Sequence, residues 1–337
     1  MVDSGAAFFA RYHDLVGDSE PFVRAAGSQR VIESSEHFVR GFYTAQDKES
    51  ESQVEEILVI PEQAMENNTL NNRLCSAYGS NAGMVAAKKE TWNKIWIPDV
   101  QQRLNEKLPG ANLSVDEAIF LMDLCPFESV AHEAVRISKF CELFSEDEWL
   151  GYDYFQSIGK WYGYGPGNPF GATLGVGFVN ELISRLTGKP VQDETSTNST
   201  LDTSPETFPL GRKLYADFSH DNDMTSIYGA MGLYNSTGPL PVTHRATPRE
   251  ADGYSAAWTV PFAGRMYVEK MRCPAAGTGR RDDEEAAEEE LVRVLMNDRV
   301  VPLPNCEADA LGRCRLGDFV RSLEFARSGG RWDECFL

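Results

Sequence analysis

"KLYADFSHDNDMTSIYGAMGLYN", residues 213–235, decides the fold. "KLYADFS" reads as a short apolar strand and "MTSIYGAMGLY" as a helix, with His220, Asp221, Asn222 and Asp223 at the joint. A strand running directly into a helix is the repeating unit of α/β folds, and the carboxyl edge of such a sheet is the usual ligand site. The free N–H groups and positive dipole end of the helix favour an anion there, and a phosphate would fit. A plainer use exists: Ser219, Asp221, Asn222 and Asp223 can each cap a helix, and on spacing alone capping is favoured over catalysis. His220 weighs the other way, because an imidazole beside an acid suits general-acid chemistry on a phosphate ester.

Upstream, residues 4–17 and "SQRVIESSEHFVRGFYTAQ" (28–46) carry helical spacing, while "PFVRAAGS" (21–28) reads as a strand entering a glycine turn. "EEILVIPE" (55–62) is a compact apolar run expected to be a buried strand, which completes an α/β alternation. From about 70 to 205 the pattern turns helical, as in "TWNKIWIPDVQQRLNEKL" and "LSVDEAIFLMDLC". "GYGPGNPFGATLGVGF" (163–178) reads as a long loop and "VQDETSTNSTLDTSPETFPL" (191–210) as a polar link back to the strand. Strand patterns return in "AAWTVPFAGRMYVEKMRC" and "LVRVLMNDRVVPL", which imply a hairpin, and the charge run "AAGTGRRDDEEAAEEE" between them reads as a solvated loop. The expected organisation is an α/β domain in two parts, 1–69 and 206–337, around a helical insertion at 70–205.

A net charge of −19 over 337 residues argues against nucleic acid or an anionic membrane as partner, because the summed field repels phosphate backbones. No apolar run approaches the roughly 20 residues a membrane span requires. Seven cysteines fit no zinc spacing, which leaves disulfides or buried thiols, and four N-x-[ST] sequons stand at Asn67, Asn112, Asn198 and Asn235. Walker A, GxSxG and HExxH motifs are absent, and no metal or cofactor is expected.

"YADFSHDND" followed by "GLYN" resembles the second motif of fungal phytases, a branch of the histidine acid phosphatases. The likeness continues through "GSQRVIESSEHFVRGF", "NNTL", "LMDLC", "YDYFQS", "YGYGPGNPFG", "GVGFVNELISRLT", "DGYSAAWTVPFAGRMYVE", "ALGRC" and "FARSGGRWDECF". It implies a phosphoglycerate-mutase-like sheet with flanking helices plus a helical insertion domain. It also implies a phosphomonoesterase acting on myo-inositol hexakisphosphate, in which the histidine of an RHGxRxP motif attacks phosphorus. By the resemblance Asp221 is the general acid, His220 a phosphate ligand and Arg24 a phosphate-binding arginine. Lys160 and Asp123 resemble residues of the inositol phosphate pocket, although Gly159 stands where the family often has the first of two lysines. Without the resemblance, Arg24 reads as a surface ion-pair partner and Lys160 as an exposed helix residue.

RHGxRxP occurs nowhere: His13, His37, His132, His220 and His244 are the five histidines, and none follows an arginine or precedes a glycine. The expectation is a chain that begins after the family's signal peptide and nucleophile strand, with little or no turnover. The family pairing implies disulfides Cys75–Cys335, Cys125–Cys141 and Cys306–Cys314 and leaves Cys273 unpaired. For the intact parent the resemblance implies a secreted, extracellular monomer whose partners are small inositol phosphates. A noncatalytic, phosphate-binding secreted glycoprotein is the alternative; a carboxylate-pair glycosidase lacks any distinguishing motif.

Overall fold

The computed structural model describes residues 1–63, 66–71, 73–131, 136–274, 288–303 and 305–337. Helix α1 (Val2–Val16) precedes strand β1 (Phe22–Ala26), and α2 (Gln29–Thr44) and α3 (Glu51–Glu55) lead into β2 (Leu58–Ile60). Helices α4 (Ala82–Trp96), α5 (Pro98–Lys107), α6 (Val115–Ala131) and α7 (Glu146–Gly163) follow, then α8 (Gly171–Leu174), α9 (Val176–Thr187) and α10 (Ser199–Asp202). Strand β3 (Tyr215–Phe218) enters α11 (Asp221–Ala230), and after α12 (Ala256–Thr259) come β4 (Met266–Pro274), β5 (Glu288–Met296), β6 (Arg299–Val300) and β7 (Cys314–Arg315). The chain closes with α13 (Leu316–Ser322) and α14 (Glu324–Arg327).

The described residues form two compact units, one of 1–78, 169–233 and 263–337, the other of 79–168 and 234–262. These limits differ from the 70 and 205 expected from pattern. Residues 169–205 pack with the sheet, because Glu181 of α9 accepts hydrogen bonds from Arg24 of β1 and, at 2.9 Å, from Thr69. The polar link is an ordered segment: Ser196 and Thr197 are buried, and Asp193 accepts from Asn180, Thr195 and Thr197. Residues 234–262 belong to the helical unit, where the hydroxyls of Tyr154 and Tyr162 each donate at 2.7 Å to the carbonyls of Pro241 and Leu240. Composition marks a segment as polar, but its buried hydrogen bonds decide which core it serves.

In the first unit β2, β1 and β3 form a parallel sheet in that order, with Ala25 opposite Phe218 and Ala26 opposite Ile60. β1, flanked on both sides, is buried from Val23 to Ala26, as a central parallel strand requires. Val23 packs with Phe8 of α1 and with Phe38 and Phe42 of α2, and the pleat turns its neighbour Arg24 to the opposite face, towards α9. α1 and α2 cross closely enough that a Cβ on Gly5 would strike the Phe38 carbonyl and one on Gly41 the Val2 carbonyl. A separate antiparallel sheet joins β4, β5 and β6, with β7 also on β5.

In the second unit Trp92, Ile97, Met122, Ile158 and Trp161 anchor a core of helix side chains, and the indole of Trp92 donates to the Gly151 carbonyl at 3.0 Å. α7 starts on a capping box between Ser145 and Glu148.

Several local readings need correction. "TWNKIWIPDVQQRLNEKL" is two helices, because Pro98 opens α5 and has no N–H with which to continue α4. The 163–178 stretch is loop only in part: α7 runs to Gly163, and α8 and the start of α9 occupy its second half. In "AAWTVPFAGRMYVEKMRC" a strand forms only from Met266, after the helical turn of α12. β5 ends at Met296 and a turn through Asn297 and Asp298, both with positive φ, folds β6 back onto it, so "LVRVLMNDRVVPL" is a hairpin by itself. β4 and β5 pair antiparallel as expected; of the charge run between them, residues 275–287 lie outside the described residues and Glu288–Glu290 are in β5.

The three implied disulfides are present, Cys75–Cys335, Cys125–Cys141 and Cys306–Cys314, and Cys273 is a free thiol. No described helix is long and apolar enough to cross a membrane.

Candidate functional site

The three parallel strands end at one edge, so the residues after each are brought together. β1 gives Gly27, Ser28 and then α2; β2 gives Pro61 and Glu62; β3 gives Ser219, His220 and then α11. A Cβ on Gly27 would stand 3.0 Å from the Ile60 carbonyl and 3.1 Å from the Glu62 nitrogen, so glycine lets the first turn lie against the end of β2. The Ser28 N–H then donates to Glu62 Oε1 at 3.0 Å.

His220 is the N-cap of α11, 9% exposed, and its side chain does no capping. Its Nε2 lies 2.9 Å from Glu62 Oε1 and its Nδ1 lies 3.3 Å from Arg30 Nη2. A guanidinium can only donate, so both contacts are hydrogen bonds when Nδ1 accepts from Arg30 and Nε2–H donates to Glu62. Burial pushes the Glu62 carboxyl up, but the bonds from His220 and Ser28 outweigh it and hold Glu62 below its usual value.

Asp221 is exposed and occupies the first helical position, where its carboxylate accepts the Asn222 N–H at 2.9 Å. It is therefore not the helix cap that spacing favoured. Ser219 is not the cap either; its hydroxyl donates to the Leu70 carbonyl. Asp223 is 4% exposed, and Arg73 Nη2 approaches it at 3.5 Å. Ser28 Oγ is buried without a hydrogen-bond partner among the described residues. Two helix N-termini, two arginines, an imidazole and an orphaned hydroxyl thus surround one sheet edge, a set suited to a tetrahedral oxyanion. The described residues contain no group of His, Cys, Asp and Glu able to hold a metal.

Arg24 is not part of this set, which corrects its expected phosphate-binding role. It is 1% exposed; its Nε donates to Asp217 at 2.7 Å and its Nη2 to Glu181 at 2.6 Å, and Arg185 also bonds Asp217. Burial alone would push Asp217 up, but the two guanidiniums hold it far below the carboxylate range. Beside this network both carboxyl oxygens of Asp202 are buried without a hydrogen-bond partner among the described residues. Burial, reinforced by the charge of Glu181, raises Asp202 to about 7 against the pull of Arg24 and Arg185.

Lys160 and Asp123 lie in the helical unit. The Tyr152 hydroxyl donates to Asp123, and Lys160 Nζ stands 5.8 Å from the Tyr164 ring centre. Of the sequons, Asn112 and Asn235 are exposed, Asn198 caps α10, and the Asn67 amide donates to the Thr197 carbonyl at 2.6 Å.

Arg30, Glu62, Ser28 and Arg73 escaped the sequence reading. The available signal was position: Arg30 stands one turn past Gly27, which follows β1 at the ligand edge, whereas Arg24 within the strand must point sideways into a sheet face.

A family model described as the histidine phosphatase superfamily (branch 2) matches residues 1–297. The chain is similar to Phytase A of Aspergillus oryzae, 49% identical over 344 residues that cover 100% of this chain and 71% of that protein. The solved phytase from D. castellii matches with a TM-score of 0.72 and 23% identity, over 99% of this chain and 64% of that one. The multiple inositol polyphosphate phosphatase of Bifidobacterium longum matches with a TM-score of 0.65 and 15% identity, over 97% of this chain and 78% of that one. Both structural likenesses concern the fold.

Proposed function

The chain belongs to the histidine phosphatase superfamily (branch 2), and from that premise we propose that it carries the acid-and-phosphate half of a phytase-like phosphomonoesterase site acting on inositol phosphates. The observation that carries the reading is the cluster at the strand ends, where Arg30 and Glu62 hold the two ring nitrogens of His220 immediately before Asp221. Arg30, the Ser28 hydroxyl and the α11 N-terminus bind the phosphoryl oxygens, and His220, whose ring nitrogens are taken by Arg30 and Glu62, positions Arg30 beside them.

In this reading a histidine nitrogen attacks phosphorus: the P–N bond forms as the ester P–O bond breaks, and Asp221 gives its proton to the departing alkoxide. Water then attacks phosphorus as the P–N bond breaks and its electron pair returns to the histidine nitrogen, orthophosphate leaves, and the proton from water returns to Asp221. The attacking histidine is not assigned to these 337 residues, since they hold no RHGxRxP and the His220 ring is engaged on both sides. That observation favours a second reading, a noncatalytic phosphate-binding glycoprotein. Three disulfides support an oxidising, extracellular setting for either. A monomer is proposed.

Calorimetry and phosphate release test this together. The 337-residue chain is expected to bind inorganic phosphate at mildly acidic pH and to release little or no orthophosphate from inositol hexakisphosphate. No heat with phosphate would remove the site at the strand ends. Rapid release that survives Asp221→Asn would remove the assigned acid.

A further inference from the structure

The chain that follows β2 meets the first turn of α11 a second time, beyond His220. The Ser219 hydroxyl donates to the Leu70 carbonyl, which ties that chain to the β3–α11 joint. Further on, Arg73 Nη2 approaches Asp223 Oδ2 at 3.5 Å. Asp223 stands two residues after Asp221 in the first turn of α11, so the contact brings a guanidinium to the turn that carries the assigned acid. Leu70, Arg73, Ser219 and Asp223 all belong to the first compact unit.

This pair is unlike the one made by Arg24, whose Nε lies 2.7 Å from Asp217 with both side chains enclosed. The Asp223 side chain is 4% exposed, but that of Arg73 is 49% exposed. An ion pair of that length with one partner half in water holds its arginine weakly and contributes little to stability. Among the described residues the contact with Asp223 engages one Nη of Arg73, and a guanidinium carries five N–H donors. A fork anchored at one corner can present the rest to a phosphate, which arginine binds through two parallel N–H donors. The buried Asp223 carboxylate by itself would repel an anion at this turn, and Arg73 offsets that charge.

We infer that Arg73 is a specificity-determining residue that binds a second phosphate, one carried by the alcohol that the reaction releases. Arg30, the Ser28 hydroxyl and the α11 N-terminus take the phosphoryl group, and Asp221 meets the ester oxygen. Arg73, docked two residues beyond Asp221, is on the alcohol's side of that oxygen. The substrate class that fits is an alcohol with a further phosphate on a carbon neighbouring the ester, in preference to a simple monoester. The inference rests on the proposed function and adds a residue to it.

Calorimetry on the 337-residue chain at mildly acidic pH, with inorganic phosphate and myo-inositol hexakisphosphate as separate probes, tests it. The quantity read is the preference, the affinity for the hexakisphosphate divided by that for phosphate, which is expected to exceed one. Arg73→Met should lower the preference roughly tenfold, the worth of one charge-assisted hydrogen bond. Arg73→Gln is the second arm and should match it. Arg40→Met removes the same charge about 15 Å along α2 from Arg30 and should keep the parent's preference. Asp223→Asn should keep it too, and adding Asp223→Asn to Arg73→Met should not restore it. Restoration would mean that Arg73 only neutralises Asp223, and it overturns the inference, as does an unchanged preference in both Arg73 variants. An equal fall in Arg40→Met would reduce the effect to net charge and overturns it as well. A parent that binds phosphate but shows no preference removes the Arg73 site and leaves the strand-end site standing; a parent that binds neither probe removes both.

Discussion

His220 Nε2 lies 2.9 Å from Glu62 Oε1, a bond that joins the ends of β3 and β2 across the end of the strand between them. It fixes the imidazole by residues that are far apart in sequence, and it leaves Nδ1 to Arg30. The first prediction concerns Glu62. Its folded-state pKa is depressed, so its contribution to stability is present above the ordinary carboxylate value and is lost as pH falls through the depressed one. In chemical denaturation at pH 6, Glu62→Gln should be less stable than the parent by under about 1 kcal/mol, because the site is partly solvated. The gap should narrow as pH falls below the ordinary carboxylate value, and a gap that widened in acid would contradict the assignment.

Arg24 and Arg30 should separate stability from binding. Arg24→Ala leaves Glu181 and Asp217 buried with too few partners, and breaking such a network costs about 3–5 kcal/mol. Its denaturation midpoint should fall steeply. Arg30→Ala, at an exposed position, should stay within about 0.5 kcal/mol of the parent. The Arg30 variant should lose roughly tenfold or more in phosphate affinity, the worth of one charge-assisted hydrogen bond. A stable Arg24 variant with weakened phosphate binding would reverse these two roles.

Asp202 should make the fold less stable on the alkaline side. Its pKa is raised to about 7 in the folded chain, so the folded state keeps a proton that the unfolded chain has already lost. Its stabilising contribution is complete below about pH 4, declines as pH rises, and is gone once pH passes about 7, with a slope of at most about 1.4 kcal/mol per pH unit. Asp202→Asn should therefore flatten the fall in Tm between pH 5 and pH 8 measured in the parent. An unchanged profile would mean that the carboxyl is already ionised in the fold.

Asp221 sits at the first position of α11 and not at its cap. Asp221→Asn should cost no more than the dipole interaction of a first-turn carboxylate, about 0.3–1 kcal/mol, with phosphate affinity little changed. In a catalytically complete relative the same change should slow transfer most for poorly activated alcohol leaving groups, which need the proton most. Equal rates on activated and unactivated esters would remove Asp221 as the acid.

Much of the fold was legible locally. The runs "FVRAA" and "LVI" between helical segments announce buried parallel strands, because a strand covered on both faces carries no polar alternation. The β3–α11 joint was legible because an apolar strand, a polar turn and a helical period follow one another without a gap. Pro98 and the turn at Asn297 and Asp298 were also present as signals, though longer apolar patterns on either side obscured them. The polar link at 191–210 could not be placed, since a segment with buried side-chain hydrogen bonds has the composition of a solvated one.

The sequence by itself determined the α/β alternation, the position of His220 and Asp221 at a strand-to-helix joint, and the absence of RHGxRxP, because each is a property of neighbours along the chain. Only the tertiary structure decided which arginine stands beside His220. Parallel pairing of β1 with β3 carries Arg30, from the start of α2, to the His220 ring, while the pleat buries Arg24 among Glu181, Asp217 and Arg185. That choice follows from strand register and side-chain direction, which exist only once the three strands are aligned.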